Sequence, residues 1–124
     1  MDKKKVIYER ELHSRSAKII GPLISKPEGL AKWIADDVDR TDDLLEFTWG
    51  VPWRHHEKRT AKIIEESPMS HFRWAWEDDS SYYVELRMER SDITNDYILT
   101  ITDFTESDDE EWLNAVWDNN FERL

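Results

Sequence analysis

The residues of this 124-residue chain whose spacing could do chemistry are mainly aromatic. Phe47 and Trp49 stand two positions apart, as do Phe72, Trp74 and Trp76. In an extended strand that spacing sends the rings to one face. The same parity places Val84, Leu86 and Met88 with Phe47, Trp49, Trp74 and Trp76, and Trp112 and Trp117 follow near the C-terminus. A pocket of this kind suits a flat or aliphatic ligand, held by apolar burial and oriented by a few polar groups. Arg87 or Asp103 is the expected polar contact, with Asp103 expected to lie partly buried near Arg73 or Arg87. Rings at strand period also serve as ordinary core, each burying about 150–250 Å².

Other groups suggest less. His55-His56-Glu57 has metal-ligand residue types, but neighbouring strand residues point to opposite faces. A third ligand would have to come from His13 or His71, so the stretch reads as a polar strand start and no metal is expected. Asp36-Asp37, Asp42-Asp43 and Asp78-Asp79 lack the spaced ligand loop of a calcium site and read as solvated turns. No spacing groups Ser, His and Asp into a relay, and no glycine-rich phosphate loop occurs. The expectation is no enzyme and no cofactor.

Composition narrows the class further. The chain carries 28 Asp and Glu against 17 Lys and Arg, a net charge of −11. A surface of that sign repels phosphate backbones and anionic lipid, so neither nucleic acid nor membrane is expected as a partner. Cysteine is absent, which removes disulfides and thiolate chemistry. No stretch approaches the ~20 apolar residues of a membrane span. Lys3-Lys4-Lys5 is followed by too short an apolar run for a signal peptide, and a cytoplasmic location is expected. The length suggests one domain over residues 1–124.

These side chains need elements to position them. Lys4 to Leu12 alternates as a strand. Ser14 or Ser16 is placed to cap a short helix through Ile24, and Pro27 opens a second that ends at Asp36-Asp37-Val38-Asp39. Period-two patterning then runs through Leu45–Trp49, Lys58–Glu66, Phe72–Trp76, Tyr82–Met88 and Tyr97–Phe104. The last stretch, Ser107 to Leu124, is an amphipathic helix with Leu113, Val116, Trp117, Phe121 and Leu124 on one stripe. Ser107 and Glu110 have capping-box spacing, and acids fill the first turn. Segregated helices beside consecutive strands argue for α+β with an antiparallel sheet closed by the final helix.

This order of segments resembles the START-like superfamily, also called SRPBCC or helix-grip, and within it small bacterial proteins related to the activator of the heat-shock chaperone ATPase. The resemblance is carried by Pro27-Glu28-Gly29-Leu30-Ala31-Lys32-Trp33-Ile34-Ala35-Asp36-Asp37-Val38 and Phe47-Thr48-Trp49-Gly50. It continues through Phe72-Arg73-Trp74, Tyr83-Val84-Glu85-Leu86-Arg87, Leu99-Thr100-Ile101-Thr102-Asp103-Phe104 and Trp117-Asp118. It implies a curved antiparallel sheet of six to seven strands wrapped on a long C-terminal helix, with two short helices after the first strand. It also implies a cavity between sheet and helix, which the seven tryptophans either line or fill.

Two functions follow as expectations. One is non-enzymatic binding of a small apolar or amphipathic ligand, lined by Trp49, Trp74, Trp76, Leu86, Met88, Trp112 and Trp117, with Arg87 or Asp103 as polar contacts. The other is a protein-interaction module that docks a chaperone or other protein through the acidic exterior, as a monomer or weak homodimer. Cavity volume separates them: about 300 Å³ or more favours a ligand, and room for a few waters favours the interaction role.

Overall fold

The computed structural model describes residues 3–50, 56–67 and 70–124. Strand β1 (Lys4–Glu11) leads into three single-turn helices, α1 (Ala17–Ile20), α2 (Pro22–Ser25) and α3 (Pro27–Leu30). Six strands follow: β2 (Asp37–Thr41), β3 (Leu44–Gly50), β4 (His56–Ser67), β5 (His71–Trp76), β6 (Asp79–Arg90) and β7 (Tyr97–Thr105). Helix α4 (Glu110–Arg123) comes last. The strands form one seven-stranded antiparallel sheet in the order β1-β7-β6-β5-β4-β3-β2. Only β1 leaves its sequence neighbours, to pair with β7. This is the α+β helix-grip arrangement, a curved sheet against a C-terminal helix. Register shifts between Ile63 and Glu65, and between Ala75 and Trp76, put bulges beside the aromatic strands, and bulges bend and twist a sheet locally.

Three local features differ from expectation. The two short helices are three, because Pro22 and Pro27 each open a new turn. Proline lacks the N–H that would continue the preceding turn, yet fits the first position of a helix. Asp37–Thr41 is not a helix end but an edge strand, with Val38 opposite Phe47. Only Val38 of its five residues is buried, so its pattern is too brief to read as a strand. The Ser107–Glu110 capping box does not form: Asp109 is the N-cap, with no side-chain cap bond. Glu110 instead accepts from Lys4 Nζ at 2.9 and 3.0 Å, tying the start of α4 to β1.

The concave face carries the core. Leu45, Phe47, Phe72, Trp74, Leu86 and Ile101 are essentially inaccessible. Helix α4 adds Leu113, Trp117 and Phe121, and Asn120 is buried beside them. Trp33 is wedged between, 6.0 Å from the Trp117 ring and stacked at 6.2 Å on Phe121. Its indole N–H donates to the Leu23 carbonyl at 2.9 Å, which locks the ring under the helix. Among the described residues no helix is long and apolar enough to cross a membrane.

Candidate functional site

Helix α4 reaches the sheet through long side chains. Trp117 bridges from Tyr8, 6.4 Å away, to Trp33, and Tyr8 donates its hydroxyl to Asn114 Oδ1 at 2.6 Å. Between the helix and the strands this leaves a cavity of about 480 Å³ with a solvent-facing mouth, above the lower end of about 300 Å³ for small-molecule sites.

Its floor is an aromatic stack built by strand alternation. Phe47 is fully buried and carries three tryptophans: Trp49 stacked at 5.9 Å, Trp74 at 5.1 Å and Trp76 edge-on at 5.2 Å. The Trp49 indole donates to the Ile34 carbonyl at 2.9 Å, which fixes that ring. Trp74 is 1% exposed, and its Nε1–H is buried with no acceptor among the described residues. Arg59 lies over Trp76 at 4.1 Å from the ring centroid. The bidentate contact of its guanidinium with Asp78, at 2.8 and 3.1 Å, holds the Asp78 carboxyl below its ordinary range.

One wall is Asp103 of β7. It accepts from the Trp117 indole at 3.0 Å and from the Phe104 backbone N–H at 2.7 Å. Burial raises its pKa, and these two bonds oppose the rise without cancelling it. A carboxylate shielded from water in an aromatic pocket favours any group that supplies a proton or positive charge. Leu113, Val116 and Trp117 form the roof, while Trp112 stands at the rim with 68% of its surface exposed. At the mouth Lys3 pairs with Asp79, and its backbone N–H donates to Tyr82 Oη at 2.9 Å.

Trp49, Trp74, Trp76, Asp103, Trp112 and Trp117 therefore line one cavity. Leu86 and Met88 do not: they are buried farther along β6, and Val84 takes their place in the lining. Arg87 is on the other side of the sheet, 3.6 Å from Glu85 and 3.9 Å from Glu89. It alternates with Leu86 and Met88, so its side chain leaves the opposite face. The expected closeness of Asp103 to Arg73 or Arg87 fails for the same reason. Arg73 faces outward, donating to Glu85 at 2.8 and 3.2 Å and lying over Tyr83.

Sequence reading missed Arg59, Lys3, Tyr82 and Asn120. The parity of Arg59 with Ala61 and Ile63 in β4 was available to place Arg59. Lys3 and Asn120 left no such trace.

Three members of the acid pairs serve as local partners. Asp36 accepts from the Gly50 N–H at 2.6 Å, Asp78 takes Arg59 and Asp79 takes Lys3. His55 lies outside the described residues. His71 meets Glu65 at 3.1 Å on the outer face, and Glu65, His71 and Glu85 come within metal-ligand distance of one another. Arg73 and Arg87 already neutralise Glu85, which disfavours a cation there.

A model of the START-like superfamily domain matches residues 1–124. The chain belongs to the START-like superfamily. A Bacteroides fragilis protein solved by solution NMR is 36% identical, with a TM-score of 0.67 over 100% of this chain and 90% of that one. The Aha1 dimer from Colwellia psychrerythraea is 15% identical, with a TM-score of 0.73 over 95% of this chain and 90% of that one. An AHSA1-like protein from Aeromonas hydrophila is 11% identical, with a TM-score of 0.70 over 97% and 91% of the two chains. The last two likenesses concern the fold alone. No curated protein matches the sequence. A START-like domain of this kind is, in general terms, a ligand-binding or interaction domain.

Proposed function

We propose that this START-like domain is a non-enzymatic binding protein whose cavity accepts a small apolar or amphipathic molecule. The carrying observation is the cavity of about 480 Å³, floored by Trp49, Trp74 and Trp76 and closed by Trp117. Flat aromatic walls contribute contact area at little entropic cost, and Asp103 supplies orientation. The reading includes a cytoplasmic protein and assigns no bond-making step to the site.

Tryptophan fluorescence titrated with a panel of medium-chain and polycyclic compounds, together with native mass spectrometry of gently purified protein, tests this. Saturable quenching by at least one class is expected, and Trp74→Phe should alter it. Silence across the panel, with no co-purified species, overturns the proposal.

A second reading, protein interaction, is favoured by two observations. Trp112 is 68% exposed on α4 beside Asp108, Asp109 and Glu111, and a relative of similar fold is a dimer. Light scattering across a protein dilution series separates them, since self-association through this face should be lost in Trp112→Ala.

A further inference from the structure

The charge balance of the cavity points beyond a generic apolar ligand. Three cations reach its lining, and each is engaged. Lys3 pairs with Asp79, and Arg59 forks onto Asp78. Arg123 donates to the Ala35 carbonyl at 3.0 Å and lies 3.6 Å from Asp36. Four lining carboxylates, Glu57, Asp103, Glu106 and Asp109, form no ion pair among the described residues, and Arg59 and Lys3 act on Asp103 only from a distance. The charge left over in the lining is therefore negative. Glu57, Glu106 and Asp109 are exposed at the mouth, where they act through a screened field, while Asp103 sits inside beside Trp117. Aromatic ring faces attract cations through their quadrupole, and more strongly where water is excluded. An anionic head group would meet repulsion at every one of these carboxylates, and the guanidinium best placed to receive it is already taken by Asp78.

We infer that the cavity selects an amphipathic organic cation, an ammonium group on an apolar or aromatic body, over fatty acids and other anions. This rests on the reading of the cavity as a ligand site and specifies its chemistry. Binding then neutralises charge in the lining, so the cation should bind less tightly as salt rises.

Octyltrimethylammonium, octanoate and 1-octanol share one chain length and differ in head-group charge. Each is titrated into the full chain at neutral pH, below its aggregation threshold, and followed by tryptophan fluorescence and calorimetry. The cation should bind at least about tenfold more tightly than octanoate. Asp103→Asn should narrow that ratio, since its amide oxygen still accepts from Trp117, at the cost of the bond from the Phe104 N–H, but carries no charge. If near-ultraviolet dichroism shows that variant to be misfolded, the double variant Glu57→Gln, Asp109→Asn at the exposed mouth carries the test with a smaller narrowing. Octanoate or octanol binding as tightly as the cation overturns this inference and leaves the cavity a ligand site. No binding by any of the three, together with silence across the wider panel, overturns both.

Discussion

Asp103 and Tyr8 show how single groups record the environment that the fold makes. Burial is the main cause that raises the Asp103 pKa above its ordinary 3.8, and the bonds from Trp117 and Phe104 oppose it. For a carboxyl raised on folding, both states are protonated at low pH and there is no penalty. As pH climbs, the unfolded chain ionises first, so stability is lost from the ordinary value up through the raised one. The melting-temperature difference between Asp103→Asn and the parent should therefore be more positive near pH 7 than near pH 3.5. The opposite trend in thermal scans would show that the hydrogen bonds outweigh burial. Tyr8 is pushed up to about 12 from 10.0, first by burial and then by the charges of Asp103, Glu110 and Asp118. An ultraviolet titration should contain one late phenol phase that disappears in Tyr8→Phe. Because the shift is again upward for an acid, the stability that Tyr8 contributes drains away between pH 10 and about 12.

Among the elements, the short helices depend most on backbone contact. Gly29 lies so near the Pro22 carbonyl that an added Cβ would stand 1.8 Å from its oxygen and 2.5 Å from its carbon. Neither neighbour is a flexible side chain, so relief requires α2 and α3 to separate. Gly29→Ala should cost about 1–3 kcal/mol or more, the range for overpacked interiors, readable as a lowered urea midpoint with an unchanged slope. A neutral result would mean that the two helices separate freely. Helix α4 is secured differently, by Trp117, Phe121 and Trp33 rather than by backbone approach. Removing the Trp33 ring should cost about 3–5 kcal/mol by chemical denaturation, as for a large aromatic deleted from a core. Its loss also frees the Leu23 carbonyl that the indole now satisfies.

At the scale of the whole molecule, the net charge of −11 governs the electrostatics. Self-repulsion among like charges opposes the compact state, and salt screens it over about 10 Å at 0.1 M. Most described ion pairs are at least partly exposed, such as Lys4–Glu110 and Lys58–Glu46, and pairs of that kind are worth little. Adding sodium chloride at neutral pH should therefore raise the melting temperature. A fall would mean that the pairs outweigh the net repulsion. The same excess of acid drives the cation preference inferred for the cavity, so fold stability and ligand choice respond to salt in opposite directions.

The period-two runs from Leu45 to Phe104 and the apolar stripe of α4 determined the sheet, its buried face and the closing helix. Alternation is a local property, and it survives whatever the strands pair with. It also put Trp49, Trp74 and Trp76 together on one side before any contact was known, and the parity that takes Arg87 out of the set was already written beside Leu86. What chain order could not contain was distance across the sheet. The edge strand at Asp37–Thr41 shows itself only in its pairing with β3, and the replacement of a capping box by Lys4 arose from a neighbour remote in sequence. Tertiary structure alone set Asp103 against Trp117, left Trp74 without an acceptor among the described residues and engaged each cavity cation in an ion pair. Which polar groups stay unmatched depends on all their neighbours at once, and that sum exists only in the folded chain.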